Sequence, residues 1–373
     1  MSTVRPLAAA DVPEVAALFL RVFRNSNKPA LASFEAYLKW FFLEGLWTRP
    51  GISPLVHLDD GGCVTGFIGV HTLPMRFGDK TLLAAFCGSL MVENPETAPL
   101  AGARLLKAFL AGPQDVSFSE TANALSHRMW LLTGGETLPD HSLNWIRVLR
   151  PAGLALALAE RAIPAFRVLG PLARGIDRLL GRCRWIAGSA RRWSGLDPMA
   201  TLPGQLKVNE ISSEAFGRLL KTMTEHYAFA PTWDETVLAA QLGDALHKPD
   251  YGAPVVAEVA TRSGAPIGGF FYHARPGGIA RVLQALARPG QEGAILDHLI
   301  RDAAERGAVG IVGRTQPALL PALLTRRVVL LPRSSTVMHV RDPALAETLR
   351  AGRGFLNGFS GETWSRISGG GAV

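Results

Sequence analysis

The residues best suited to chemistry are few and scattered. Cys63, Cys87 and Cys183 are far apart and form no Cys-x-x-Cys pair, so they predict free thiols in a reducing compartment and not a disulfide framework. Cys63 and Cys87 lie in apolar, strand-like segments, which is typical of buried, unreactive thiols. His127 lies in a predicted helix without a carboxylate or metal partner, which favours a packing or surface role. No His/Cys cluster has the spacing of metal ligands, so we expect no metal site.

Positive charge is concentrated in one segment. Residues 147–193 contain ten arginines, no lysine and two acids, so they account for the whole formal net charge of +8. Apolar residues recur there at helical spacing, beside the arginines: Leu169, Leu172, Ile176, Leu179 and Leu180. Such a segment is typical of peripheral contact with an anionic membrane; the alternative is an inter-domain helix that buries its apolar stripe. The lack of lysines and of a recognised nucleic-acid module disfavours nucleic acid as a partner.

Length and composition indicate a globular protein with large cores. The 373 residues allow two or three domains, and 48% hydrophobic with 19% charged residues excludes a disordered chain. The longest low-charge stretch, 151–163, contains Glu160 and Arg161 and is too short for a transmembrane helix. The N-terminus has no signal-peptide core, so a cytoplasmic location is expected.

The chain passes twice through one order of predicted elements. The first half predicts strand 3–7, helices 11–23 and 34–43, hairpin 54–73, central strand 81–93, helix 100–110, strand 116–119, helix 123–132 and strand 141–149. The second predicts strand 205–211, helix 213–227, hairpin 253–274, central strand 280–287, a helix ending near 306, strand 309–312, helix 318–324 and strand 335–340. This indicates an internal duplication. We expect two α/β domains with mixed sheets, 1–150 and 204–373, joined by an Arg-rich helical linker, 151–203.

These elements and their loops resemble the GNAT superfamily of acyl-CoA N-acyltransferases. The opening Val4-Arg-Pro-Leu-Ala-Ala-Ala-Asp-Val-Pro-Glu-Val is similar to the first strand and helix of that family. The family's cofactor motif is a strand, a Q/R-x-x-G-x-G/A loop and a helix, whose backbone N–H groups hold a pyrophosphate. The first half offers Thr97-Ala-Pro-Leu-Ala-Gly102, which keeps the last glycine. The second offers Arg288-Pro-Gly-Gln-Glu-Gly293, which keeps the arginine and the last glycine.

A later helix carries a second part of the resemblance. The stretch from Asn123 to Gly135 fits the family pattern N-x-x-A-x-x-L-Y-x-x-x-G-F in spacing. In that pattern the tyrosine protonates the leaving thiolate. Trp130 stands in its place, and an indole N–H donates hydrogen bonds but does not release a proton at useful pH. The first half therefore lacks the usual general acid, and 316–330 in the second half has neither the asparagine nor the tyrosine.

The resemblance implies an acyl-CoA-dependent N-acyltransferase that uses acetyl-CoA or another acyl-CoA and a small-molecule or peptide amine. It implies Glu93 and Glu120 as candidate general bases, although a solvated strand-end carboxylate and a helix-start acid explain them as well. The implied cofactor contacts are Met91, Leu100, Gly102, Ala103 and Asn123 in the first half, and Arg288, Gln291 and Gly293 in the second. The first half is the better candidate for chemistry. The alternatives are a Fem-like transferase that moves aminoacyl groups onto cell-envelope precursors, and a non-catalytic GNAT-fold binding or scaffold protein.

Overall fold

Helices and strands alternate along the described part of the chain, which in the computed structural model comprises residues 2–96, 98, 100–182 and 206–370. The helices are α1 (Val12–Arg24), α2 (Ala32–Lys39), α3 (Ala101–Leu110), α4 (Ala124–Leu132), α5 (Pro151–Ala162), α6 (Gly170–Arg182), α7 (Ser213–Thr224), α8 (Glu235–Ala245), α9 (Glu292–Glu305), α10 (Leu320–Leu324) and α11 (Pro343–Arg350). The strands are β1 (Thr3–Pro6), β2 (Leu55–Leu58), β3 (Val64–Phe77), β4 (Lys80–Val92), β5 (Val116–Ala122), β6 (Glu136–Thr137), β7 (Leu143–Val148), β8 (Leu206–Glu210), β9 (Phe229–Pro231), β10 (Ala253–Thr261), β11 (Pro266–Ala274), β12 (Ile279–Ala287), β13 (Gly310–Arg314), β14 (Val329–Pro332) and β15 (Ser335–Val340).

Two mixed sheets form the framework, as predicted. The first has the order β1-β2-β3-β4-β5-β15-β6, with β9 paired to the end of β3, and the second has the order β14-β7-β13-β12-β11-β10-β8. Among the described strands, each sheet contains one parallel pair, β4 with β5 and β12 with β13. A parallel pair requires a crossover, and α3 and α9 supply it. The two passes through the same elements therefore give two α/β units.

The two units exchange one strand each. The predicted last strand of the first domain, β7, pairs with β13 and β14 in the second sheet. In return β15 pairs with β5 and β6 in the first sheet. The sheets therefore do not follow a boundary at residue 150. The reason is that β7 and β15 hold equivalent positions in the repeat, so the hydrophobic pattern does not distinguish which sheet each strand joins.

The predicted basic linker is helical as far as it is described, through α5 and α6; residues 183–205, with Cys183, Trp185 and Trp193, lie outside the described residues. The Asp177 carboxylate accepts hydrogen bonds of 2.9 Å from the N–H groups of Ala152 and Gly153, which ties α6 to the start of α5. Three apolar side chains of α6 face solvent: Leu172, Ile176 and Leu179 are 62%, 41% and 61% exposed. None of the described helices combines the length and hydropathy needed to span a bilayer.

A C-terminal segment, residues 354–370, joins the two units and is called the tail below. Its Phe359 and Trp364 are fully buried in one cluster with Phe41 and Trp47 of the first half and Phe271 of the second. The rings of Trp47 and Trp364 meet edge to face at 4.8 Å. Since a buried aromatic side chain contributes about 1.5–3 kcal/mol, the tail is a structural part of both units.

Candidate active site

The first sheet opens between its parallel strands. Pairing of β4 with β5 covers only three positions and ends at Phe86↔Phe118. Just beyond that point β4 carries one extra residue relative to β3, because the register runs from Gly69↔Gly88 to Phe67↔Met91. Ser89, at this bulge, has φ +54°, a left-handed conformation that is rare for a non-glycine residue and common at functional sites. We call this gap the first opening.

Glu362 of the tail lies in the first opening. Thr121 of β5 donates a hydrogen bond to its Oε1. Its other oxygen, Oε2, is buried and has no hydrogen-bond partner among the described residues, and it lies 2.5 Å from where a β-carbon on Gly88 of β4 would stand. The carboxylate therefore reaches from one strand to the other and presents one free oxygen beside the bulge.

Burial sets the protonation of Glu362. Loss of solvent, and then repulsion from the nearby Glu120, raises its pKa to about 7, while the Thr121 hydrogen bond and Arg314 act in the opposite direction. A carboxylate with a pKa near the working pH exchanges protons efficiently in both directions. Glu362 thus has the protonation behaviour and the free oxygen of a general base.

Glu120 anchors the tail at this position. It is 3% exposed on β5 and its carboxylate accepts hydrogen bonds from the backbone N–H groups of Gly358, Glu362 and Thr363, at 3.3, 3.0 and 3.2 Å. The Thr363 hydroxyl donates a fourth at 3.3 Å. Because its lone pairs are engaged in this way, Glu120 is suited to positioning Glu362.

Aromatic side chains wall the other side of the first opening. A cavity of about 100 Å³ lies there, lined by Phe41, Phe42, His71, Ser89 and Glu362 among others. His71 is buried and bonds through Nε2 to the carbonyl of Gly361, at 3.0 Å. Burial lowers its pKa to about 4, so the imidazole is neutral and donates to that carbonyl. The cavity therefore combines an apolar wall with the Glu362 carboxylate.

The second sheet has the equivalent opening, and the tail enters it too. Pairing of β12 with β13 ends at Arg281↔Val312, and β12 carries an extra residue between Val282 and Gln284 opposite β11. Gly358 lies against this bulge, where a β-carbon would stand 2.7 Å from the carbonyl of Leu283. A larger cavity of about 190 Å³ remains in this second opening.

Several solved structures share this architecture. The chain aligns with a conserved protein of unknown function, a probable N-acyltransferase, from Enterococcus faecalis V583 (TM-score 0.55, 10% identity, 91% of this chain and 73% of that chain). It also aligns with GCN5-related N-acetyltransferases from Kribbella flavida (0.54, 13%, 91% and 71%) and Anabaena variabilis ATCC 29413 (0.55, 10%, 92% and 73%). The chain has the GNAT fold. No protein-family model matches the sequence, and no curated protein sequence does.

In this GNAT fold the predicted site residues of the first half lie in two places, the first opening and a groove beside it. Met91 is buried on β4 just after the bulge. Glu93 forms a 2.8 Å ion pair with Arg21 and lines a groove of about 670 Å³ with Leu100 and Arg104, near the start of α3. The structure therefore places Glu120 beside Glu362, and Glu93 at a different surface.

The predicted cofactor loop of the first half leads into α3. Leu100 precedes the helix and is 62% exposed. A β-carbon on Gly102 would stand 3.3 Å from the Met129 side chain of α4, so this glycine lets α3 and α4 approach. Ala103 follows it, partly buried. Asn123, an implied cofactor contact, caps α4 by accepting from the N–H of Ser126 at 2.9 Å.

The predicted loop of the second half is filled by its own side chains. The N–H of Gly290, between Arg288 and Gln291, donates to the Glu292 carboxylate at 3.1 Å. A β-carbon on Gly293 would stand 2.6 Å from the Arg326 guanidinium, which Asp297 holds through two hydrogen bonds of 2.8 and 2.7 Å. A carboxylate already uses an N–H group that a pyrophosphate would need, so this loop suits a phosphate group poorly.

Sequence reasoning missed Glu362 and misjudged one thiol. Glu362 lies outside every motif of the resemblance, and its only signal is its position between the apolar residues Phe359 and Trp364. Cys87 is buried as predicted, and burial raises the pKa of its thiol. The prediction for Cys63 was wrong, because it is exposed at the end of the β2–β3 turn. Trp130, at the tyrosine position, is fully buried, and its Nε1 has no hydrogen-bond partner within the described ranges.

Proposed function

We propose that this protein is an N-acyltransferase that transfers an acyl group, acetyl or longer, from an acyl-CoA to an amine in the first opening. The observation that carries the proposal is the Glu362 carboxylate, buried between β4 and β5, with a raised pKa and one free oxygen. An amine is protonated at neutral pH and attacks only after losing a proton, so a base of this kind is the group that the reaction requires.

Each group in the first opening has a task in this proposal. Glu362 Oε2 removes a proton from the ammonium of the acceptor, and Thr121 and Glu120 hold the carboxylate in place. The bulge at Ser89 turns backbone of β4 toward the gap, where N–H groups near Met91 stabilise negative charge on a carbonyl oxygen. The acyl-CoA supplies an activated thioester, whose thiol leaving group has a pKa near 8.5 and needs little assistance. The neutral His71 and the aromatic wall exclude water.

The first half fits the acyl donor better than the second. A groove beside the opening reaches the start of α3, where the first N–H groups of a helix lack intrahelical partners, and Gly102 lies in that first turn. In the second half Glu292 and Arg326 fill the corresponding loop. We therefore expect one CoA site per chain, at the loop before α3.

Two matched glycine variants test this assignment. Gly102→Asp brings a carboxylate and a clash with Met129 to the first loop, so we expect CoA to bind at least about tenfold more weakly, as like charges repel. Gly293→Asp places the same group beside Arg326, where it leaves CoA binding unchanged. The measurement is the thermal shift produced by CoA and by acetyl-CoA, with mass spectrometry of N-acyl products from a panel of amines.

The same assay contains the outcomes that contradict the proposal. A CoA-induced shift that survives in Gly102→Asp and disappears in Gly293→Asp assigns the donor to the second half. No shift and no product with acetyl-, butyryl- or palmitoyl-CoA would mean that acyl-CoA is not the donor. That result favours the Fem-like transferase or the non-catalytic scaffold.

We further propose peripheral attachment of the Arg-rich segment to anionic membranes. Arg174 and Arg178 are exposed on α6 together with Leu172, Ile176 and Leu179. Each arginine near anionic lipid contributes about 1 kcal/mol, and the exposed apolar side chains can enter the interface.

Co-sedimentation with vesicles tests the attachment. We expect binding to phosphatidylserine-containing vesicles at low salt, loss of binding at about 0.5 M salt because of screening, and none to phosphatidylcholine. Arg174→Glu with Arg178→Glu should abolish binding, whereas the control Arg275→Glu, exposed on the β11–β12 turn, should not. Equal, negligible binding to both lipids would contradict the proposal and support the packed inter-domain helix.

A further inference from the structure

The cavity of the second opening lies against the first opening. Thr121, Thr363 and Ser368 line both the cavity of about 190 Å³ and the cavity of about 100 Å³ that contains Glu362. Glu120, which holds the tail between them, lines the larger cavity as well. The two spaces are thus neighbours that share a wall of small hydroxyl side chains.

Cationic side chains dominate the larger cavity. Its lining includes Lys248, Arg281 and Arg314, and within the described ranges none of them forms an ion pair with a carboxylate. The Lys248 ammonium is 2% exposed and donates to the carbonyls of Ser365 and Ser368 at 2.5 and 2.6 Å. The Arg281 guanidinium stacks on the Tyr251 ring, 4.5 Å from its centroid. Burial lowers the pKa of Lys248 to about 7 despite the nearby Asp244 and Glu120, so buried positive charge is costly here, and an anionic ligand reduces that cost.

Unsatisfied polar atoms line the same cavity. His273 and Asn357 are 1% and 2% exposed, and in the part of the chain that the structure describes neither His273 Nε2 nor Asn357 Oδ1 has a hydrogen-bond partner. Arg314 donates to Ser334 and Thr336, which leaves its buried Nε without a partner. Buried polar atoms are satisfied in most native structures. Three such atoms around one cavity indicate a polar ligand that both accepts and donates hydrogen bonds.

Glu120 partly offsets the positive charge of Lys248 and Arg314, because it favours the charged form of both. It is the carboxylate in the cavity lining, and its oxygens already accept four hydrogen bonds from Gly358, Glu362 and Thr363. The guanidinium groups of Arg281 and Arg314 favour a ligand that carries a carboxylate, because a guanidinium binds a carboxylate through two parallel hydrogen bonds.

We propose that the larger cavity is the acceptor subsite and that the acceptor is a primary amine that also carries a carboxylate, as in an amino acid. This inference rests on the proposed function. The acceptor carboxylate binds Arg281 and Arg314, and its amino group passes the wall of Thr121, Thr363 and Ser368 to reach Glu362. There the ammonium loses one proton to Glu362 Oε2 and the amine nitrogen bonds to the acyl carbon. The carbon–sulfur bond then breaks, the nitrogen gives its second proton to the released thiolate, and Glu362 returns the first proton to solvent.

Matched acceptor pairs test the subsite. The probes are free α- and ω-amino acids and the corresponding primary amides or decarboxylated amines, assayed with acetyl-CoA by release of free thiol. We expect the carboxylated member of at least one pair to have a kcat/KM about 100-fold higher, as expected for a paired buried charge. Arg281→Gln should reduce that ratio to near one by raising KM for the carboxylated member of the pair. Arg281→Lys should retain part of the preference, and the control Arg275→Gln should retain all of it.

Binding without a donor separates the failure of this inference from the failure of the proposed function. Thermal shift and calorimetry are carried out with the full chain and the same amino acids, without acyl-CoA. One outcome is that an amino acid binds, that Arg281→Gln abolishes this binding, and that the chain transfers no acyl group. This outcome supports the carboxylate site and overturns the proposed function. Acyl transfer with no preference for carboxylated amines, and no binding of any of them, overturns the subsite. A preference for aminoalkyl phosphates over every carboxylate overturns the stated substrate class.

Discussion

Replacing Glu362 with glutamine is expected to lower kcat/KM for acyl transfer about 1,000-fold, within the usual contribution of a general base. Glutamine keeps the size of the side chain and an oxygen that can accept from Thr121, but it accepts no proton. CoA binding should be unchanged, because the proposed donor loop lies at α3. Glu362→Asp, whose carboxylate is one carbon shorter, should recover part of the rate.

The pH profile gives a second measure of this role. Since the pKa of Glu362 is raised to about 7, the base is protonated below that value, and kcat/KM should rise between pH 6 and 8 and then level off. The residual activity of Glu362→Gln should not change in that window. Glu347→Gln, on the exposed face of α11, is the matched control and should keep both the rate and the profile. A Glu362→Gln enzyme with near-normal rate would show that another group is the base.

The stability of the same variant should change in the opposite direction to its activity. A carboxylate whose folded pKa is raised from 4.5 to about 7 favours the folded state below pH 4.5 and loses that contribution as the pH rises through 7. Above pH 7 the charged Glu362 lowers the free energy of unfolding by up to about 3 kcal/mol. Glu362→Gln should therefore raise Tm at pH 8 and leave it unchanged at pH 4. A loss of stability at pH 8 would mean that Glu362 is a stabilising contact.

The sequence allowed the fold to be predicted because hydrophobic periodicity is local. The hairpin β2–β3, the central strand β4 and the helices α3 and α4 lie close to their predicted ranges. The exchange of β7 and β15 was not predictable in this way, because strand pairing is a long-range choice between two equivalent sheets.

The candidate site was only partly predictable, for the same physical reason. Glu120 lies within a locally predicted strand region, near the end of β5, and the resemblance implied it as a site residue. Glu362 is separated from Thr121 by 241 residues, and only the packing of Trp364 and Phe359 in the shared core brings it to the first opening. The occupation of the second loop by Glu292 and Arg326 is likewise a matter of side-chain conformation. The local sequence pattern predicts neither the position of Glu362 nor the side chains that fill the second loop.

Glu120→Ala is expected to release the tail and to have the largest effect on stability. Its carboxylate is the shared acceptor for Gly358, Glu362 and Thr363, so its removal leaves three buried or partly buried N–H groups without an acceptor. Each such group costs about 1–3 kcal/mol, and we expect a loss of about 3–5 kcal/mol, comparable to breaking a buried charge interaction. Activity should fall at least about 100-fold, because displacement of Glu362 by about 1 Å is enough for such a loss.

Hydrogen exchange and the pH profile separate anchoring from a general loss of structure. Amides of 357–363 should exchange much faster in Glu120→Ala than those of β4, and urea unfolding gives the stability. The control Glu136→Ala removes a carboxylate about half exposed in its pair with Arg350 and should cost under about 1 kcal/mol. The isosteric Glu120→Gln removes the charge that raises the pKa of Glu362, so its activity midpoint should move below pH 7. Unchanged protection of 357–363 in Glu120→Ala, or an unmoved midpoint in Glu120→Gln, would show that Glu120 does not position the Glu362 base.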